Sequence, residues 1–226
     1  MNSGAKAGGV ASLIQALCYV CGFAMLATVM SPEHADDWSR IQKLEYILEQ
    51  AALFQLWNVI IYVIFGISLT VLAVSLHRLL GGGRSFLMAV ATPFGLIWSG
   101  LVIASGMVAN VGLSAISETY SRSAEEAANA WAIIGTVQDG IGGGVELVGG
   151  IWVLLVSVSS MISGEILPKW LNWVGFIVGA AGIATIVPTL SELGAVFGLT
   201  QIIWFVGIGV VLLRVDDTQQ IAAATV

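Results

Sequence analysis

Long apolar stretches alternate with short polar ones along this chain. Six stretches are long enough to cross a bilayer as helices, because the hydrocarbon core requires roughly 20 apolar residues. They cover approximately residues 8–30, 51–76, 86–113, 131–163, 170–191 and 193–213. The pattern predicts an all-α, polytopic membrane protein in which a six-transmembrane-helix bundle forms one integral membrane domain over residues 1–226.

Composition supports a membrane protein and excludes one class of partner. The chain is 58% hydrophobic and 10% charged, whereas soluble domains carry about 25% charged residues. The net charge of -6 argues against nucleic acid, which selects basic surfaces. The expected surroundings are therefore the lipid bilayer, and a homo-oligomer or a membrane partner is compatible with this composition.

The basic residues predict an orientation. Six spans place both termini on one side of the membrane, and the loops and tails of that side hold Lys6, Arg78, Arg84, Lys169 and Arg214. The opposite side holds Arg40, Lys43 and Arg122. Because cytoplasmic loops carry the excess of Lys and Arg, we expect both termini in the cytoplasm.

The polar segments between the spans contain helix-start signals. Ser31, followed by Pro32, fits an N-cap and a first helical residue. That helix is either an outward extension of the second span or a separate helix at the membrane interface. Ser123 and Glu126 have capping-box spacing, which predicts a helix from about Ala124.

The fourth span poses a length problem. A helix from Ala124 to Ile162 would measure roughly 58 Å, about twice the hydrocarbon thickness. Either its first turns project into water or the helix breaks, and the predicted breaker is a glycine cluster. The members of this cluster are Gly140, Gly142, Gly143 and Gly144. Pro93 and Pro188 lie within the third and fifth spans, where they are candidates for kinks.

The strongest candidate site lies in the same segment, VQDGIGGGVELVGG, residues 137–150. A charged acid at the centre of a membrane helix costs about 2.5–3.5 kcal/mol, so intramembrane acids usually mark ion, proton or substrate paths. In a continuous helix Asp139 and Glu146 would share a face, and in a broken one freed backbone groups would line the same place. We therefore predict an ion, proton or ligand site at Gln138, Asp139 and Glu146.

Uncharged polar residues form a second candidate feature. Gln55, Asn58 and Tyr62 recur at helical spacing, so they form one polar stripe on the second span. With Asn110 they either join helices by hydrogen bonds or line a cavity shared with the fourth span. Gln15 and Gln201 are further amides inside predicted spans.

No pattern indicates an enzyme, a cofactor or a metal. Cys18 and Cys21 share a helix face, but their apolar flanks offer no charge to stabilise a thiolate, so they are interpreted as packing residues. His34 and His77 are too isolated to indicate a metal site. No catalytic residue is assigned.

Three segments carry a resemblance to a known family. They are AGGVASLIQAL, QDGIGGGVELVGGIWVLLVS and LPKWLNWVGFIVG. Together with the six-span length they resemble a group of small bacterial inner-membrane proteins known as a domain of unknown function. The resemblance implies a multi-pass protein of the bacterial inner (plasma) membrane, and it supplies no catalytic residue.

Two functional hypotheses follow. The first is a small permease, channel or proton-linked carrier that uses the intramembrane acids and the glycine-rich helix break. The second is a non-transporting sensor or assembly partner whose glycine seams pack against another helix or protein. The sequence names neither a substrate nor a partner.

Overall fold

The computed structural model describes residues 3–30, 32, 35–81, 85–143, 146–163 and 167–214. These residues are helical apart from short connections, and none of them forms a β-strand. The α-helices in chain order are α1 (Ser3–Thr28), α2 (Arg40–Glu49), α3 (Ala51–Asn58), α4 (Phe65–Leu80), α5 (Phe86–Tyr120), α6 (Ala124–Gln138), α7 (Leu147–Ser163), α8 (Lys169–Ala184) and α9 (Leu193–Arg214). The π-helical turn Val59–Ile64 connects α3 to α4. A second π-helical turn, Asp139–Gly143, continues α6.

Within the described residues, five helical stretches are long and apolar enough to cross a membrane, as expected of a membrane protein. They are Ser3–Thr28, Ala51–Leu80, Phe86–Tyr120, Ala124–Ser163 and Leu193–Arg214. The predicted span at 170–191 corresponds to α8, which has 16 residues and ends at Ala184. The expected kink at Pro188 is wrong, because this proline begins a separate 3-10 turn, Pro188–Leu190, after the helix has ended.

The long helices form an antiparallel bundle in which neighbours in space are not always neighbours in sequence. Helix α1 packs against α4 and α9, α5 packs against α4 and α7, and α8 lies against α7 and α9. We call the end where α4 leads into α5 the inner end, and the end where α5 leads into α6 the outer end. A hydrogen bond between the Ser85 and Ser159 hydroxyls joins α5 to α7 at the inner end.

The centre of the bundle is an aromatic cluster. Trp98 contacts Phe65, Trp152 and Phe197, and the ring centroids are 5.4–6.0 Å apart. Trp204 joins the cluster through Trp152, and the centroids of these two rings are 5.5 Å apart. Tilted and edge-to-face pairs at these distances stabilise beyond the area that they bury. The cluster joins α4, α5, α7 and α9 around one core.

A smaller apolar cluster lies at the outer end, between α2, α5 and α6. Its fully buried members are Leu44, Ile116, Ala127 and Ala128. Helix α2 ends before α3 begins and packs on α6, so it is a separate helix rather than an extension of the second span. Its N-cap is Ser39, which forms a capping box with Gln42, whereas the predicted cap, Ser31, lies outside the described residues.

The start of α6 agrees with the sequence. The Ser123 side chain accepts a hydrogen bond from the Glu126 backbone N–H, and the helix begins at Ala124. The prediction of a helix start at this position is therefore confirmed. Glu125 and Glu126 lie in the first turn, where the positive end of the helix dipole favours acids.

Glycines allow close contact between α7 and α8. A Cβ atom added to Gly150 would lie 2.8 Å from the Gly179 carbonyl oxygen, and one added to Gly179 would lie 2.7 Å from the Leu154 Cβ atom. Small residues of this kind let two backbones approach in a membrane. This glycine seam is therefore occupied within the chain itself.

Candidate functional site

The fourth long helical stretch is broken next to the two acids. Helix α6 ends at Gln138, and the π-helical turn Asp139–Gly143 contains Gly142 with φ 141° and ψ 13°. A side chain strongly disfavours positive φ in this range, so glycine is required at this position. Gly140 has no neighbour within 4 Å of an added Cβ atom, Gly143 ends the turn, and Gly144 lies outside the described residues.

Thr185 holds the backbone where the helix resumes. Its hydroxyl oxygen accepts a hydrogen bond from the Glu146 backbone N–H at 2.9 Å and donates one to the Gly182 carbonyl at 2.7 Å. The Glu146 carbonyl in turn accepts from the Gly150 N–H at 2.8 Å. A side chain at the end of α8 thus caps the beginning of α7, and it places Glu146 directly before the first turn of that helix.

The Glu146 side chain is half-buried. Its carboxylate and the hydroxyls of Tyr19 and Tyr62 lie within electrostatic range of one another. No ion pair to Glu146 occurs among the residues that the structure describes. The acid therefore has two phenols within electrostatic range and no described basic partner.

Gln138 links the break to the second helical stretch. Its side chain lies close to the Tyr62 hydroxyl, and its backbone carbonyl accepts a hydrogen bond from the Ser105 hydroxyl at 3.3 Å. Gln138, Tyr62 and Glu146 consequently belong to one cluster at the outer half of the bundle. We call Tyr19, Tyr62, Gln138 and Glu146 the outer polar cluster.

Asp139 occupies a different environment from Glu146. Its side chain is exposed on the bundle surface, although it remains within electrostatic range of Tyr62. Because the helix breaks between the two acids, they do not form the shared face that a continuous helix would give. Of the two acids, only Glu146 lies against the interior.

The polar stripe of the second helical stretch faces α5. The Gln55 amide donates to the Asn110 carbonyl at 3.4 Å and to the Ser114 hydroxyl at 3.1 Å, and the Asn110 amide donates to the Gln55 carbonyl at 3.1 Å. A Cβ atom added to Gly106 would lie 2.6 Å from the Tyr62 Cβ atom. Gln55 and Asn110 therefore join helices, whereas Tyr62 alone extends to the broken stretch.

Asn58 differs from its neighbours in the stripe. It is 1% exposed, and neither of its side-chain polar atoms has a hydrogen-bond partner in the described part of the chain. Buried amides normally bond to protein or to water. This side chain has unused hydrogen-bonding capacity one turn from Tyr62.

Two members of this region were not singled out by the sequence. Tyr19 follows Gln15 by four residues and so shares its helix face, a signal that the apolar character of α1 concealed. Thr185 lies 39 residues after Glu146, and nothing local indicates that its hydroxyl caps another helix. Both depend on which helices become neighbours.

The geometry offers no described metal centre. No group of three or more His, Cys, Asp or Glu side chains suited to a metal occurs in the described ranges. The His77 Nδ1 atom lies 2.8 Å from the Thr92 hydroxyl oxygen, and His34 lies outside those ranges. Cys18 is buried and Cys21 is half-buried, both as free thiols.

Two apolar grooves occur on the bundle surface away from the outer polar cluster. One of about 430 Å³ lies between α1 and α4, and one of about 520 Å³ lies between α8 and α9. Glu146 lines neither of them. Their apolar walls suit lipid chains.

No family model matches the chain, and neither a curated protein nor a solved structure does. The resemblance to a six-span bacterial family therefore remains an expectation from sequence segments. The geometry around Glu146 is therefore the basis for a function.

Proposed function

We propose that this chain is a small permease, channel or proton-linked carrier in which Glu146 binds the transported proton or cation. One observation carries the proposal: Glu146 follows a helix break, is half-buried and lies within electrostatic range of two tyrosine hydroxyls, without a described basic partner. Acids kept inside membrane bundles usually belong to ion or proton paths, because burying them is costly.

The broken helix supports the same role. Transporters commonly place their binding sites at discontinuous membrane helices, where backbone groups are freed from helical hydrogen bonds. Here the break leaves Glu146 at the start of α7, and Thr185 satisfies its backbone N–H from a neighbouring helix. The side chain is consequently free to bind an ion while its backbone stays fixed.

A six-span topology completes the proposal. Helix α8 has 16 residues, roughly 24 Å, which is shorter than the hydrocarbon thickness of about 30 Å. It nevertheless packs along α7 and α9, and it presents Trp170 and Trp173 as exposed aromatic side chains. We infer that α8 is a short span and that both termini lie on the cytoplasmic side of a bacterial inner membrane.

The alternative, a non-transporting sensor or assembly partner, loses its main sequence argument. That hypothesis used the glycine seams as contact surfaces for another protein. Gly150, Gly179 and Gly182 instead approach one another between α7 and α8. An internal seam supports a tight bundle around Glu146 and leaves these glycines unavailable to another protein.

The decisive experiment compares Glu146→Gln with Glu125→Gln in liposomes. Glu125 is an exposed acid of α6, so its substitution makes the same chemical change outside the site. We expect the wild type and Glu125→Gln to dissipate an imposed pH or cation gradient, measured with a trapped fluorescent indicator. We expect Glu146→Gln to reduce that flux by about 10-fold or more, because the exchangeable charge is lost.

Thermal stability separates transport from structure. A folded Glu146→Gln protein with normal melting temperature and no flux supports the proposal. Wild-type protein that dissipates neither proton nor cation gradients, or flux that is unchanged in Glu146→Gln, contradicts it.

A further inference from the structure

A pair of buried amides lies inward of the outer polar cluster. Gln15 of α1 and Gln201 of α9 are both 0% exposed. All four of their side-chain polar atoms lack hydrogen-bond partners within the described part of the chain. Two completely buried amides with no described partner constitute unused hydrogen-bonding capacity in the core.

The packing of α1 on α9 places the two amides opposite each other. The Ser12 hydroxyl donates to the Phe205 carbonyl at 2.7 Å, and a Cβ atom added to Gly198 would lie 3.3 Å from the Tyr19 ring. Gln15 lies between Ser12 and Tyr19, and Gln201 lies between Gly198 and Phe205. In the antiparallel pair their levels differ by about one residue, roughly 1.5 Å.

Both amides also lie on the facing stripes of their helices. Positions 12, 15 and 19 of α1 follow i, i+3, i+7 spacing, and so do positions 198, 201 and 205 of α9. Residues with that spacing share one helix face. The amides therefore lie at nearly the same level on the facing sides of α1 and α9, inward of Tyr19 of the outer polar cluster.

Further polar atoms without described partners continue from this pair toward the inner end. The Trp204 Nε1 atom and the Ser157 hydroxyl are two of these atoms. Both lie next to Gly175, close to the position that a Cβ atom would take there. Ser160 and the Asn172 Oδ1 atom follow at the next turn of α7 and α8. Buried groups of this kind are normally bridged by ordered water.

We propose that the Gln15–Gln201 pair binds water molecules. These waters form the middle part of a hydrogen-bonded water column that carries protons between Glu146 and the inner end of the bundle. The column comprises Gln15, Gln201, Trp204, Ser157, Ser160 and Asn172. This inference rests on the proposed function and narrows its substrate to the proton. Each water accepts one proton and releases another, so no group of the protein is consumed.

The lining of the column favours protons over a bare metal cation. Ion-conducting paths replace the hydration shell of a cation with rings of carbonyl or carboxylate oxygens. Between Glu146 and the inner end, α1, α7, α8 and α9 carry no Asp or Glu, and the Trp204 indole N–H offers a donor that cannot ligate a cation. A water chain conducts protons through such a lining without dehydrating an ion.

Radiolytic labelling tests the water independently of transport. Millisecond X-ray pulses generate hydroxyl radicals from water in place, and mass spectrometry identifies the oxidised neighbours. We expect Trp204 to be labelled despite its 0% exposure, and we expect labelling to fall several-fold in Gln15→Leu and Gln201→Leu, which remove the amides without adding a sulfur atom that would itself react with the radicals. Thr200→Val is the matched control, because the Thr200 hydroxyl already bonds to its own helix at Val196.

Flux measurements then test the substrate. Wild-type liposomes should conduct protons and not sodium or rubidium, and both leucine variants should lower proton flux while Thr200→Val leaves it unchanged. Absent labelling of wild-type Trp204, or labelling that the leucine variants leave unchanged, overturns the water column even if Glu146-dependent flux persists. Sodium or rubidium flux overturns the proton assignment. Gln-dependent labelling without any wild-type flux overturns proton conduction and the proposed function, and leaves only a buried water site.

Discussion

The Thr185 hydroxyl accepts a hydrogen bond from the backbone N–H of Glu146 at 2.9 Å, and so the end of α8 caps the beginning of α7. The same hydroxyl donates to the Gly182 carbonyl at 2.7 Å, which uses both of its hydrogen-bonding roles. Because this residue is 3% exposed, water cannot readily replace it. The position of Glu146 thus depends on a side chain that lies 39 residues away in the sequence, at the end of another helix.

Thr185→Val should destabilise the protein. Valine keeps the shape and removes both hydrogen bonds, leaving the Glu146 N–H unsatisfied at a cost of about 1–3 kcal/mol. Thermal denaturation in detergent measures the change. Thr185→Ser keeps the hydroxyl and should retain most of the stability, so equal losses in both variants would contradict the capping role.

Gly142→Ala should also destabilise the protein, by about 1–2 kcal/mol, because alanine disfavours positive φ. Gly140 lies in the same turn without a positive φ and with no atom within 4 Å of an added Cβ. Gly140→Ala should consequently leave the free energy of unfolding unchanged or raise it by up to about 1 kcal/mol. A comparison of the two melting temperatures checks the prediction, and equal effects would argue against the left-handed turn.

The hydrogen bonds between Gln55 and Asn110 should contribute additively. Each amide donates to the backbone carbonyl of the other residue, so removing one side chain leaves the acceptor of the other in place. Gln55→Met and Asn110→Ala should each cost about 0.6–1.7 kcal/mol, from the average to the maximum found for hydrogen bonds between membrane helices. If the two bonds are independent, the double variant should equal their sum within about 0.5 kcal/mol, as at independent sites, and a larger coupling would point to a direct bond between the amides.

The proposed topology is testable by single cysteines in a protein with Cys18 and Cys21 replaced by alanine. Glu126→Cys lies at the outer end and Lys169→Cys at the inner end. An impermeant maleimide should label the first in intact spheroplasts and the second only after permeabilisation. A C-terminal tag should likewise be accessible only from the cytoplasm; outside accessibility would indicate five spans instead of six. The cysteine-free protein should keep its wild-type flux, since the cysteines are interpreted as packing residues.

The sequence by itself determined the helical membrane class, because apolar length and scarcity of charge are properties of single segments. It also located the start of α6, since the Ser123 cap bonds to a residue only three positions away. It placed the glycine cluster and Glu146 in the same segment. Local signals of this kind depend on bonds within one or two helical turns.

Tertiary structure alone decided what surrounds Glu146. Tyr19 and Thr185 come from distant helices, and Gln15 faces Gln201 only because α1 packs against α9. It also separated Asp139 from Glu146, because the left-handed backbone at Gly142 turns the chain between them. Helix pairing is set by small residues and buried shapes summed over the whole bundle, so no single stretch of sequence carries that information.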